Sequence, residues 1–412
     1  MRISKESEKH YNLSHSEEIL GIRKKLEETF LSFYKKHGYS WVSPIPLIPG
    51  EIDPSVTFTG ATVNGWKRYL TGENKLPNRG IYTAQPCLRT QNATSIYDFE
   101  TTPKFGSYFS MAGVLSPAGR LPDIYHEALS LLTEELGVAK KDIVVHIASD
   151  HEEISTCARE GPYEIKIETD QIGYYKWNYG IEGVLGEGLT IALLNKRSQE
   201  FEEIGNIVLI KNSGKAIATE WGFGLETTTS RLLSLPHPVF ASPVIRFIEK
   251  DVLSTPLGVR LGDSLVAISA LLANGTDLNS SNQKVARVLE KYKRGIAYLA
   301  ALEEIPGTTV VEIITKIVSS LSPEVRVSPE TIEQLVGYFS NAGKRQNDFL
   351  NSVRGILTNP VYRTNPERAA KSLQRTAKNY GFHNLKVIRG IISFNARLFT
   401  KEDLNFLKCL QN

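Results

Sequence analysis

Gly222-Phe223-Gly224-Leu225-Glu226-Thr227 marks the point where an extended stretch passes directly into a helix. Upstream, residues 204–210 and 216–218 read as a hairpin turning at Asn212-Ser213-Gly214, and the strand that follows runs into the two glycines. Downstream, 225–233 opens a helix. Earlier, 80–88 reads as a strand leading straight into Arg89, and a polar loop separates it from a second apolar run at 108–115. That is a strand-loop-strand hairpin with a long tip. Ser14-His15-Ser16-Glu17 has capping-box spacing before Ile19, Ile22, Leu26, Phe30 and Phe33, a helical pattern that ends near His37-Gly38. A helix over 123–136 and a strand over 143–147 follow. Gly180, Gly183, Gly186 and Gly188 suit turns and close backbone approach. The segment lacks the Gly-Lys-Ser/Thr ending of a P-loop.

After Pro256 the strand patterns vanish. Helical periodicity fills 260–274, 281–301, 308–320, 328–341, 344–357 and 365–380. Mixed strands and helices followed by helices alone predict an α+β domain over 1–255 and an all-α domain over 256–412. The 412 residues suffice for two cores. The formal charge of +3 is unevenly spread: from Pro256 onward there are 21 Lys+Arg against 13 Asp+Glu, and before it 27 against 32. A basic half beside an acidic half fits a polyanion docking on the C-terminal region. Cys87, Cys157 and Cys409 lie far apart without CxxC spacing, which predicts reduced thiols, no zinc site and a cytoplasmic location. The first residues lack an apolar signal core, and no stretch reads as a membrane span.

Several short segments, in order, resemble the class II aminoacyl-tRNA synthetases, and within them the N-terminal portion of the alanyl-tRNA synthetase family. The opening stretch is similar to the third class II motif. Leu13-Ser14-His15-Ser16-Glu17-Glu18-Ile19 resembles the family's opening, and Asp53-Pro54-Ser55-Val56-Thr57-Phe58-Thr59 its first motif region. Gln85-Pro86-Cys87-Leu88-Arg89 resembles the start of the second motif, and Tyr108-Phe109-Ser110-Met111 the family's Phe-Phe-Glu-Met. Trp177-Asn178-Tyr179-Gly180 resembles Trp-Glu-Met-Gly, and Ile204-Gly205-Asn206-Ile207-Val208 resembles Ile-Trp-Asn-Leu-Val. In the helical half, Gly262-Asp263-Ser264, Asn274-Gly275 and Asn379-Tyr380-Gly381-Phe382 have counterparts too.

The resemblance implies a class II antiparallel sheet flanked by helices, followed by a tRNA-recognition region. It implies activation of an amino acid by ATP and Mg²⁺ to an aminoacyl adenylate. Arg89 would bind the α-phosphate and the substrate carboxylate, and Phe109 would stack on adenine. Met111 and Gly224 would complete the nucleotide site. Trp177, Asn206, Val208, Glu220 and Gly222 would line the amino-acid pocket. No metal ligands of the protein's own are expected.

The departures are specific. Thr227 stands where the family's third motif has a phosphate-binding arginine. Arg231, one helical turn further on, is expected to reach back and replace it. Glu220 replaces an aspartate and Thr190 a glutamate. Trp221 replaces a threonine and Gly205 a tryptophan, which moves bulk between neighbouring strands of the pocket. Ser280 and Lys378 occupy the positions that read the acceptor stem. Lys284, Arg287, Lys291 and Arg294, and separately Arg368, Lys371, Arg375 and Lys378, recur at helical spacing suited to phosphate contacts. The resemblance stops short of the family's editing and oligomerisation regions, so neither is expected. The acceptor is either a tRNA acceptor stem or another molecule. A non-catalytic paralog that binds tRNA or a protein, and an adenylating enzyme with a non-tRNA acceptor in specialised metabolism, are the alternatives.

Overall fold

The computed structural model describes residues 16–96, 102–170, 172–249, 251–380, 392 and 395–409. Ser14, Gly381 and Phe382 lie outside them, as does the side chain of Cys409. The chain divides into two compact units, Met1–Arg89 with Lys104–Arg246, and Thr90–Pro103 with Phe247–Asn412. The sequence texture changes at Pro256, whereas the division falls at Arg246/Phe247 and assigns the tip of the first hairpin to the second unit.

The first unit is built on one nine-stranded sheet. Helix α1 (Ser16–Lys36) precedes the short β1 (Ser40–Trp41), then β2 (Ile81–Leu88) and β3 (Tyr108–Pro117). Helix α2 (Leu121–Ser130), which runs on into a π-helical turn, leads to β4 (Ile143–Ala148), helix α3 (Glu152–Arg159) and β5 (Glu164–Glu168). Strands β6 (Lys176–Asn178), β7 (Val184–Asn195), β8 (Glu200–Asn212) and β9 (Lys215–Gly224) follow, and β9 passes without a loop into helix α4 (Leu225–Leu232). The sheet order is β1-β2-β3-β9-β8-β7-β4-β5, with β6 on β7. β1–β2 and β4–β5 pair in parallel; every other pair is antiparallel. The β8–β9 turn uses Ser213 and Gly214 at φ 48° and 83°, the left-handed conformation a tight hairpin requires.

Period-two alternation divides β9 between two faces. Trp221 and Phe223 stack at 5.0 Å and enter the core with Phe30, Tyr34 and Tyr82. Glu220, Gly222 and Gly224 face the other way. Trp221 therefore adds bulk to the core and none to a pocket on the opposite face, which corrects the expected exchange with Gly205. A Cβ at Gly205 would lie 2.5 Å from Phe223 Cβ, so this core packing excludes a side chain there. The glycine-rich stretch is likewise only half turn. Gly180 and Gly183 have φ of 67° and 76°, but Gly186 and Gly188 lie within β7, where Val208 and Trp177 occupy the space of their missing side chains.

The second unit is helical: α5 (Pro256–Ala273), α6 (Gln283–Leu302), α7 (Gly307–Leu321), α8 (Pro329–Ser340), α9 (Ala342–Thr358) and α10 (Pro366–Asn379), with shorter turns between them. Asn282, Ser328 and Asn365 cap helix starts through their side chains. Helix α5 is long and apolar enough to cross a membrane, contrary to the sequence reading, but 94% of it is buried as this unit's core helix. Within the same unit, Ile96 fills a notch at Gly295, and a Cβ on that glycine would come within 2.0 Å of Ile96 Cδ1. Arg260 donates to the Ser95 carbonyl (2.8 Å) and Asn92 to Asp263 (2.9 Å).

Candidate active site

Five strands, β2, β3, β6, β8 and β9, deliver the candidate residues to one face of the sheet. The ladder continues past Leu88, where the Arg89 N–H donates to the Ser107 carbonyl at 2.8 Å. This places the Arg89 guanidinium 5.1 Å from the centre of the Phe109 ring, within cation–π range. Arg89 Nε donates to the Gly60 carbonyl (3.1 Å), and no partner among the described residues holds its two Nη groups. The fork is anchored at its base and open at its tip.

Two cavities meet at this point. The larger, of about 360 Å³, is lined by Trp177, Tyr179, Val208, Glu220 and Lys67 among others. The smaller, of about 100 Å³, is lined by Phe105, Phe109, Tyr174, Glu203, Gly224 and Thr227 among others. Arg89, Met111, Asn206 and Gly222 line both. A Cβ at Gly222 would reach no closer than 3.6 Å to Met111 Sδ, so this glycine leaves its space to the cavities. Gly224 is more constrained, because a Cβ there would meet Thr227 Oγ1 at 2.9 Å.

Glu220 is buried and accepts a hydrogen bond from Tyr179 Oη at 2.9 Å. Burial pushes its carboxyl up to about 7, an effect only partly offset by donation from Tyr179 and Thr62 and by the charge of Arg89. Lys67, which also lines the larger cavity, pairs through Nζ with the buried Asp53 at 2.8 Å. Burial opposes charge on Asp53, yet donors from Lys67, Ser55 and Asn64 hold its carboxyl below the ordinary range. Thr190 donates to Asn206 Oδ1 (2.7 Å). Behind the site, Glu226 accepts from Arg23 Nε (3.1 Å) and from the Ser110 N–H (2.7 Å), which ties α1, β3 and α4 together.

Residues 25–188 match the family described as tRNA synthetases class II (A). Over that stretch, which is less than half of the chain, the protein is similar to the class II tRNA synthetases. The chain is 32% identical over 124 residues to an alanine–tRNA ligase of Chelativorans sp. (strain BNC1), a match covering 30% of this chain and 14% of the relative. It is 31% identical over 133 residues to the alanine–tRNA ligase of Rhizobium johnstonii, covering 32% of this chain and 15% of the relative. The aligned stretch is thus a small part of the relatives' length. Asparaginyl-tRNA synthetase from Pyrococcus horikoshii, solved with asparaginyl-adenylate, superposes with a TM-score of 0.36 at 9% identity, covering 56% of this chain and 68% of that one. A likeness that slight carries no weight.

All the expected nucleotide and amino-acid residues except Arg231 line one or both cavities. Arg231 is 4% exposed; its Nε pairs with Glu202 at 2.8 Å, and Nη2 donates to the Lys104 carbonyl at 2.7 Å. It lines a separate cavity with Ile22, Leu26 and Leu232, so it does not stand in for the missing arginine. Thr227 and Arg231 are one turn apart, but each lines a different cavity. Tyr179, Lys67, Phe105, Tyr174 and Glu203 were not foreseen as site residues. Tyr179 could have been found from its place two residues after Trp177. The Lys67–Asp53 pair had no local signal.

In the second unit Lys284, Arg287 and Lys291 are exposed, while Arg294 pairs with Glu290 at 2.7 Å. On α10, Arg368, Arg375 and Lys378 are exposed, and Lys371 pairs with Glu367 at 2.6 Å. Among the described residues no group of three or more His, Cys, Asp or Glu could hold a metal ion.

Proposed function

We propose that the first unit activates an amino acid as its adenylate, and the single observation that carries this reading is Arg89 at the junction of two unlike cavities. The larger takes the amino acid, its ammonium set against Glu220. The smaller takes the nucleotide, its base against Phe109. The substrate carboxylate then attacks the α-phosphorus, a new P–O bond forms, and the bond to the bridging oxygen of the β-phosphate breaks. Pyrophosphate leaves with that electron pair. The open Arg89 fork neutralises charge on the carboxylate and α-phosphate as it develops. Holding both reactants at one junction supplies the proximity. The donor set fits a nucleotide, with an aromatic face and a free guanidinium. Glu203, the carboxylate facing the smaller cavity, would approach Mg²⁺ brought in by ATP, and the ion would neutralise the departing pyrophosphate.

The basic faces of α6 and α10 support a polyanionic acceptor such as a tRNA acceptor stem. Thr227 at the wall of the smaller cavity favours the second reading, a paralog that binds without catalysing. Pyrophosphate exchange screened over all amino acids, with Arg89→Ala alongside, separates the two. Amino-acid-dependent exchange that Arg89→Ala abolishes supports activation. Exchange undiminished in that variant overturns the site, and no exchange with any amino acid favours the paralog.

A further inference from the structure

The cavity that Arg231 lines has a volume of about 430 Å³, larger than either cavity of the candidate active site. Small-molecule pockets span about 300–1,000 Å³. Helix α1, the segment that follows α2, strand β7 and helix α4 enclose it, and all of them belong to the first unit. Its lining is largely aliphatic, with Leu26 and Leu193 buried and Ile22, Val138 and Leu232 half-buried.

Five charged residues also line it. Lys25 and Lys196 are exposed and are matched in charge by the exposed Glu135 and the half-buried Asp142. The fifth, Arg231, is buried, and its guanidinium is unevenly used. Its Nε faces Glu202 at 2.8 Å and its Nη2 donates to the Lys104 carbonyl at 2.7 Å. Its Nη1 meets only Ser230 Oγ, at 3.4 Å, beyond the ordinary length of an N–H···O bond. Glu202 is shared, since it also accepts from Asn195 Nδ2 at 2.9 Å. Burial pushes the Arg231 guanidinium below its usual value, and Glu202 and Glu203 offset only part of this. A buried cation with an under-used nitrogen, beside an aliphatic space, suits an anion that carries an apolar body. A carboxylate brings one charge and two acceptor oxygens to this one cation, whereas a phosphate brings excess charge.

We propose that this third cavity is a binding site for an apolar carboxylic acid, its carboxylate accepting from Arg231 Nη1 and its hydrocarbon body packed against Leu26, Val138, Leu193 and Leu232. The assignment does not depend on what the other two cavities bind.

Octanoate serves as the probe, titrated into the full chain by calorimetry, with octan-1-ol as its uncharged counterpart. Octanoate should bind the wild type about tenfold or more tightly than the alcohol, the difference a charged hydrogen bond makes. Arg231→Met should lose that preference. Val138→Trp fills the cavity with an indole and should abolish binding of both probes with an unchanged circular dichroism spectrum, and it carries the test by itself where Arg231→Met does not fold. Arg89→Ala should bind octanoate as the wild type does, because Arg89 belongs to the other cavities. A wild type that binds no octanoate, or binds the two probes equally, overturns the assignment. So does wild-type-like binding by Val138→Trp, a preference retained by a folded Arg231→Met, or a loss of octanoate binding in Arg89→Ala.

Discussion

Tyr179 Oη donates to Glu220 Oε2 across 2.9 Å, with both side chains buried. The bond favours the ionised carboxylate, yet burial wins and lifts the group from 4.5 to about 7. Between those values the unfolded chain releases its proton and the folded one retains it. Stability therefore falls as pH rises through that window, on the order of 3 kcal/mol in all. Glu220→Gln should flatten this decline in urea titrations run at several pH values.

Binding should run the other way. A substrate ammonium needs the ionised carboxylate, so amino-acid affinity should rise as pH passes through about 7. Calorimetry should show weak, pH-independent binding in Glu220→Gln. Tyr179→Phe removes a donor that lowers the Glu220 value, and should move the midpoint to higher pH.

Gly222→Ala should separate folding from function. The added methyl meets Met111 at ordinary contact distance, so the melting temperature should hold. It protrudes where the two cavities join, and a small displacement of reacting groups costs about a hundredfold in rate. Pyrophosphate exchange measured beside thermal unfolding checks both halves.

Arg23→Met should be severe although Arg23 lies outside both cavities. It leaves Glu226 buried with its principal cation gone, and losses of this type run to about 3–5 kcal/mol. Glu226→Gln retains an acceptor for the Ser110 N–H, and in combination with Arg23→Met it should recover part of the loss. Urea midpoints of the two single variants and the double variant provide the measurement.

If a nucleic acid is the acceptor, its salt dependence should report on the exposed cations of α10. Arg368→Gln, Arg375→Gln and Lys378→Gln should each remove one phosphate-neutralising charge and lessen the log–log salt slope by about 0.7–0.9. Arg294, already paired with Glu290, should contribute less. Fluorescence anisotropy across a salt series gives the slopes.

Much of this was legible in the chain itself. The helices of the second unit follow apolar periodicity and proline starts, and the β2–β3 and β8–β9 hairpins follow alternation and turn residues. Alternation would also have revealed that Trp221 and Phe223 point away from Glu220 and Gly222. Gly186 and Gly188 concealed the first half of strand β7, because glycines that make room for Trp177 and Val208 carry no apolar pattern. Arg231 shows a different limit. Helical spacing states which residues share a face, but Glu202 and the Lys104 carbonyl, supplied by distant segments, decide what that face meets.

The place of Thr90–Pro103 has a practical consequence for dividing this protein. The segment directly after Arg89 completes a helical body whose remainder begins at Phe247. A fragment cut after Arg246 would carry Ile96 without the Gly295 notch and Ser95 without Arg260. The gene is continuous, but the two bodies are interleaved along it, so no single cut yields either one intact.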